Sequence, residues 1–384
     1  MESFLAILMV EIMKFRVTNI ASSETNPTEI SNHLWQFLVD LRMKRIPPLS
    51  RLLASSGLPL PDDYLTDEEF YDDLAIYVVT DAEGRKIRRR AEKLAKLRTA
   101  ASSAVGHLKK EEIDRLRPFM RGVRMIYVEN EHRADEITAE LHEHAPWMAP
   151  ATEYVWQSLR RSAARGEPVC IPPIILNGPA GIGKSTWARK LATILRAPCA
   201  DLDASKGGAG YSLVGLERGW STAQAGRPLE TMIAANVGNP IMIVDEICKA
   251  KRSLNAEGNS YSFADSLLSL LEPATSTAWE CPYYRIPFNM SQISWLMTAN
   301  DVHQVSGTIL SRCQVLELRD LTHQQIHDHL DREAKRMKLS RLATDIAHEV
   351  LDASPALLKR KMSLRDVGRL LNRADALEMR PTLH

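Results

Sequence analysis

Residues 178–186 read GPAGIGKST, and the run that leads into them, residues 169–176, reads VCIPPIIL. The apolar run has the length of a buried strand, and the pattern predicts a helix from about Lys184 onward. Strand, glycine-rich loop and helix together fill G-x-x-x-x-G-K-[ST] in full. Gly178, Gly181 and Gly183 permit backbone conformations that turn successive N–H groups inward. The loop Gly178, Pro179, Ala180, Gly181, Ile182, Gly183 is therefore expected to cradle phosphates at the positive end of the next helix. Lys184 supplies a point charge for the outer phosphates and Ser185 a hydroxyl for magnesium. Thr186 belongs to the same phosphate-binding turn, with its side chain expected elsewhere on the helix.

A phosphate cradle alone serves many chemistries, and a second stretch narrows them. IMIVDE, residues 241–246, is an apolar strand ending in two carboxylates, placed by a parallel sheet at the edge that faces the nucleotide. Asp245 is expected to hold the magnesium, and Glu246 to orient and deprotonate an attacking water. A third strand, ISWLMTAN (293–300), ends in Asn300, whose amide is placed to hold that water against the terminal phosphate. The expected ligands are ATP and Mg2+.

Outward from these motifs, the apolar runs Ile241 to Val244, Ile293 to Met297 and Val315 to Leu318 alternate with helical stretches. That is the pattern of an α/β protein with a parallel sheet flanked by helices. ATEYVWQSLRRSAARG (151–166) reads as an amphipathic helix closed by Gly166. The chain divides into a mostly helical N-terminal region (1–145), an α/β nucleotide-binding domain (146–320) and a helical lid (321–384). In the first region ISNHLWQFLVDLRMKRI (30–46) and EEIDRLRPFMRGVRMIYV (111–128) carry helical apolar spacing. An acidic stretch, Asp62 to Asp73, precedes a basic one, Arg85 to Arg98. The latter predicts a helix with Ile87, Ala91 and Leu94 inward and its cations in solvent; nucleic-acid binding is the competing reading.

Composition sets wider bounds. The 384 residues, 45% hydrophobic and 25% charged, suit an ordinary globular chain of two or three domains. With 49 basic against 48 acidic residues there is no global field to steer the protein to nucleic acid or an anionic membrane. The five cysteines are scattered without a C-x-x-C pair, so a reducing cytoplasm is the expected location. The apolar run Phe4 to Val10 is expected to be a buried helix or strand rather than a leader, since Glu2 and Glu11 bracket it. THQQIHDHL (322–330) puts His323 and His327 on one helical face beside Asp328 and His329. With no third ligand in sequence, this reads as a solvated lid helix, and no metal beyond magnesium is expected.

At this point the chain resembles the AAA+ superfamily and, within it, the ATPase module of the Lon proteases, over roughly residues 146–378. VGLERGWSTAQAGRPLETM (214–232) is similar to the segment with the first pore loop, and SLLSLLEPATSTAWECPYYRIPF (266–288) to the stretch after the acidic strand. GTILSRCQVLEL (307–318) resembles the arginine-finger strand. The resemblance implies that Asn300 is the first sensor and Arg312 a finger acting on a neighbouring subunit. It further implies that Arg365 in SLRDVGRLL (363–371) is the second sensor, and Trp220 the aromatic that grips a translocated polypeptide, though serine follows it where the family has an aliphatic residue. Lon proteins continue into a protease domain, whereas this chain stops soon after its last lid helix, so no proteolysis of its own is expected. The implied assembly is a homo-oligomeric ring, with a hexamer favoured, acting on a protein client. A nucleic-acid-linked ATPase and an ATP-dependent scaffold for a separate effector are the alternatives.

Overall fold

The computed structural model describes residues 18, 26–43, 79–206, 209–219, 223–250, 252–254, 260–353 and 362–379. The apolar run near the N-terminus, the acidic stretch 62–73 and Trp220 lie outside them. Two compact units are present, Thr18–Arg121 and a larger one that includes Gly122–His384.

In the smaller unit α1 (Pro27–Met43) packs on α2 (Asp81–Ala104) through Ile30, Leu34, Ala91 and Ala95. Arg42 Nη2 lies 2.6 Å from Glu83 Oε1, and Thr80 donates its backbone N–H and hydroxyl to the same carboxylate. These bonds, that from Arg42 foremost, hold the Glu83 carboxyl at about 2. The inward positions of α2 are Ala91 and Ala95, not Leu94, which is exposed. Arg85, Arg88, Arg89 and Arg90 are exposed as expected of a solvated face. The unit also contains α3 (Lys110–Arg121). The helical spacing read through residue 128 does not hold past this helix: Gly122 takes φ 93°, and Arg124 forms a parallel bridge to Val237. A left-handed glycine ends the helix, and the β-branched and aromatic residues beyond it run extended.

The larger unit is built on five parallel strands, β1 (Ile174–Asn177), β2 (Cys199–Asp203), β3 (Ile241–Asp245), β4 (Ser294–Ala299) and β5 (Gln314–Glu317). Their order is β2-β3-β4-β1-β5. The three inner strands are almost continuously apolar and buried, with all six residues of β4 inside, because helices cover both faces of a parallel sheet. The edge strands β2 and β5 are partly exposed. Ile174 pairs with Leu296 on one side and Gln314 on the other, so β1 sits between the last two strands of the chain. The strand order reverses there, and the crevice outside the C-terminal strand ends at such a point is where an open α/β sheet binds ligands.

Around the sheet, α4 (Glu131–His144), α5 (Ala149–Arg165) and α6 (Lys184–Ile194) share one core, in which Leu141, Val155, Leu159, Trp187 and Leu191 are buried with Ile174, Ile243 and Leu296. Through its apolar face, with Ala134, Ile137 and Leu141 buried, α4 belongs to this core. After the sheet, α9 (His323–Met337), α10 (Arg341–Ala353) and α11 (Leu364–Glu378) bury Ile326, Leu330, Ala347, Leu351, Val367 and Leu371 among themselves. The shorter helices α7 (Arg227–Ala235) and α8 (Phe263–Leu271) complete the body. Among the described residues no helix is long and apolar enough to cross a membrane.

Candidate functional site

The loop between β1 and α6 is shaped by its glycines. Gly181 and Gly183 take φ 83° and 91°, and the second of these is the left-handed residue immediately before α6. A Cβ at Gly178 would lie 2.7 Å from the Leu318 carbonyl oxygen, so only glycine lets the loop pass β5. The loop is pinned from outside at three points. Gly178 N–H donates to Ala299 O, Trp147 Nε1 donates to Ile182 O at 2.8 Å, and Leu364 N–H, from the first turn of α11, donates to Gly181 O at 2.9 Å.

Lys184 opens α6 and is buried. Its ammonium donates to Gly178 O, to Pro179 O at 2.9 Å and to Asn300 Oδ1 at 3.0 Å. Burial lowers its pKa to about 8, against the upward pull of Cys248, Asp245 and Glu246. The next residue, Ser185, donates its hydroxyl to Asp245 Oδ1. Thr298 on β4 donates to the same oxygen at 3.1 Å and accepts the Glu246 N–H at 3.0 Å, so one threonine fastens both carboxylate residues to the neighbouring strand. Glu246 itself is left-handed (φ 57°), and its carboxylate accepts from Lys249 Nζ at 2.9 Å. Arg189 bridges Asp201 at 3.1 Å and Asp245 at 3.5 Å.

These groups face one cavity of about 1040 Å3 at the C-terminal edge of the sheet. Ala180, Gly181, Gly183, Lys184, Ser185, Thr186, Asp245, Glu246, Asn300 and Arg365 all line it. Thr186 is among the residues that line the cavity with Ser185. The carbonyls of Gly178 and Pro179 hold Lys184, and Ile182 is buried beneath the loop. Arg312 is elsewhere: its Nε donates to Glu272 at 2.5 Å and its Nη1 to Thr308 O at 2.9 Å.

Sequence reading missed the opposite wall. His144 and Trp147 before α5, and His329, Glu333 and Arg336 on α9, line the same cavity. The Trp147 ring meets His329 edge-on with centroids 5.8 Å apart, and the Arg332 guanidinium lies over it at 5.6 Å. Burial lowers the pKa of both His144 and His329, which disfavours charge on the two imidazoles of that wall. None of these residues sits in a motif; the i, i+4 pair His329 and Glu333 was the nearest signal. Thr298 was legible in principle, since β4 runs directly beside the Asp245 strand end. The oxygen set of Ser185 and Asp245 suits a hard divalent cation such as Mg2+.

Residues 174–321 match the family model of the ATPases associated with various cellular activities (AAA). A Lon protease of Methanosphaera stadtmanae is 28% identical over 164 residues, 42% of this chain and 19% of that protein. A Lon protease of Helicobacter pylori is 25% identical over 197 residues, 50% of this chain and 23% of that protein. The chain thus spans about a fifth of the length of these curated relatives. A closed-state structure of Hsp104 with ATPyS and FITC casein overlays 81% of this chain and 56% of its own, at TM-score 0.49 and 14% identity. With its glycine loop, its paired carboxylates and its five-stranded parallel sheet, the chain carries an AAA domain, and the stretch that carries it is related to Lon proteases.

Proposed function

We propose that this protein binds ATP with Mg2+, hydrolyses it, and in a homo-oligomeric ring, a hexamer in the favoured form, uses the cycle to remodel or thread a polypeptide. One observation carries the reading. Lys184, Ser185, Asp245, Glu246, Asn300 and Arg365 come from four separate segments and meet at one cavity. The loop amides and Lys184 bind the phosphates. Ser185 and Asp245 hold Mg2+, which neutralises charge on the outer phosphates. The pocket wall of His144, Trp147 and His329 takes the base. Glu246 then accepts a proton from a water held by Asn300, as that water's oxygen bonds to the γ-phosphorus and the bond to the β,γ-bridging oxygen breaks.

Two features support self-association. Arg312, the family's finger position, stands away from its own cavity. On α10, Leu342, Ile346 and Val350 recur every fourth residue and are exposed, with Leu342 at 70%. An apolar stripe of this kind on a polar helix marks a docking face. A cytoplasmic site of action fits cysteines that are all free, with the thiols of Cys170, Cys199 and Cys281 pushed up to about 11 and Cys313 to about 12 by burial. Trp220 remains the candidate for gripping the client.

The test is ATP turnover by the full chain with an unfolded polypeptide, with DNA or RNA, and with neither. Stimulation by unfolded polypeptide is the expected result. Stimulation by nucleic acid instead, lost when Arg88, Arg89 and Arg90 are replaced by glutamate, would transfer the function to the nucleic-acid-linked alternative.

A further inference from the structure

The lid carries a cluster that the nucleotide site does not use. His323 and His327 stand one turn apart on α9, and Asp352 reaches them from the last turn of α10. His323 Nε2 lies 3.0 Å from Asp352 Oδ1, His327 Nε2 lies 3.0 Å from the same oxygen, and the two imidazole nitrogens are 3.3 Å apart. Read along α9 alone the pair has no third partner; the last turn of α10 supplies it.

The three edges have a metal's dimensions. Ligand atoms about 2.0–2.1 Å from a tetrahedral zinc ion stand about 3.3 Å from one another. The donors here already form such a face before any side chain moves. His327 is the inner member, with 16% of its side chain exposed, and its other nitrogen is accounted for. His327 Nδ1 meets His348 Nδ1 at 2.5 Å with the ring planes 4° from parallel, and His348 Nε2 meets Asp331 Oδ1 at 2.7 Å. Asp331 accepts only, so a neutral His348 carries its proton on Nε2. Its Nδ1 is then the acceptor and His327 Nδ1 the donor, the arrangement that a metal-bound His327 requires. That sequence of bonds leaves the His327 Nε2 lone pair directed at the Asp352 carboxylate oxygen and the second imidazole. In that tautomer a lone pair, a carboxylate and an imidazole nitrogen converge on one point, which favours a positive charge there. Asp331 and His348 have the relation of an outer shell that fixes a ligand's tautomer.

The geometry points to a binding site for a divalent first-row transition metal, of which zinc is the best match, with His323, His327 and Asp352 as ligands and a fourth position open to solvent. Two imidazoles and one carboxylate are the donors such ions prefer, and they suit neither magnesium nor calcium. The ion would tie the start of α9 to the end of α10. Because the other face of α9 brings His329, Glu333 and Arg336 to the nucleotide cavity, it would stiffen one wall of that cavity. Metal binding by these three residues requires neither hydrolysis nor ring formation.

The test uses the full chain, treated with a chelator, desalted and kept free of nucleotide. Zn2+ is titrated against a chromogenic chelator, and Co2+ against the visible spectrum. One equivalent per chain is expected, with the intense d–d bands of four-coordinate Co2+ and a higher unfolding temperature in Zn2+. His323→Ala and Asp352→Asn, both at exposed positions, are each expected to lose at least tenfold in affinity while still unfolding cooperatively. Asp331→Asn, a positioning change, is expected to lower affinity by about tenfold and leave the stoichiometry at one. Equal affinity in the wild type and both ligand variants, binding well below one equivalent, or thiolate charge-transfer bands that place the ion on a cysteine would each overturn the assignment. A proton alone then supplies the positive charge.

Discussion

Lys184 concentrates the chemistry of this site in one atom. Its ammonium is buried, fed by two loop carbonyls and the Asn300 amide oxygen, and its pKa falls to about 8 from an ordinary 10.5 because burial disfavours the charge. Between those two values the unfolded chain binds more protons than the folded one, so stability is expected to rise with pH across that window. Chemical denaturation at several pH values checks this, with Lys184→Met expected to flatten the rise. Phosphates act oppositely, since they favour the ammonium, and ATP affinity is expected to hold up to about pH 8 and fall above it. Lys184→Ala is expected to weaken ATP binding at least a hundredfold, the equivalent of about 3 kcal/mol lost with a buried charge contact. Glu246 differs in kind. It sits left-handed at the end of β3, a conformation that costs a non-glycine residue about 1–2 kcal/mol, held there by the bond from its N–H to Thr298. Glu246→Gln keeps shape and loses basicity, so ATP binding is expected to persist while turnover drops by about a hundredfold to ten-thousandfold. Turnover near the wild-type rate in that variant would remove its role as the base.

Between elements, the decisive contact joins the loop to α11. Leu364 N–H donates to Gly181 O, and a Cβ added at Gly181 would collide with the Ser363 side chain. Ser363 is itself held, because it begins α11 through a capping box with Asp366. Gly181→Ala therefore meets two obstacles at once, a left-handed φ of 83° and a neighbour that cannot turn aside. It is expected to push α11 off the loop and carry Arg365 away from the cavity. Fluorescent-nucleotide titration should show weakened binding with the global unfolding transition little changed; a fall in stability matching the fall in affinity would mean that the loop, not the lid contact, was damaged. The loop was legible because its glycines recur at a motif's spacing. That a helix beginning some 180 residues later would rest on it was not, since backbone-to-backbone contacts leave no residue signature.

For the whole molecule, the position of Arg312 bears on whether one chain completes its own site. Arg312 is bonded to Glu272 and Thr308 and does not line the cavity. If it serves a neighbour, Arg312→Ala should bind ATP almost normally and lose on the order of a thousandfold in turnover. Mixing Arg312→Ala with Lys184→Ala subunits, each inactive alone, is then expected to restore part of the activity. In some junctions an intact cradle meets an intact finger. Full activity in dilute protein shown to be monomeric by ultracentrifugation, or no rescue in mixtures shown to co-assemble, would eliminate the shared site.

By itself the sequence determined the parallel sheet, the phosphate loop and the identity of the paired carboxylates. Each of these is written locally, as a near-continuous apolar run, a glycine spacing or a strand ending in acid, and a parallel sheet buried on both faces admits little else. Only the tertiary structure decided that α4 belongs to the sheet body, that Trp147 and His329 close the far wall of the cavity, and that Leu94 faces solvent while Ala95 is buried. The same holds for Asp352, which joins two histidines 25 and 29 residues earlier in the chain. Such partners meet through helix packing across long stretches of chain, where the choice of neighbour rests on how apolar faces fit together and no spacing along one element records it.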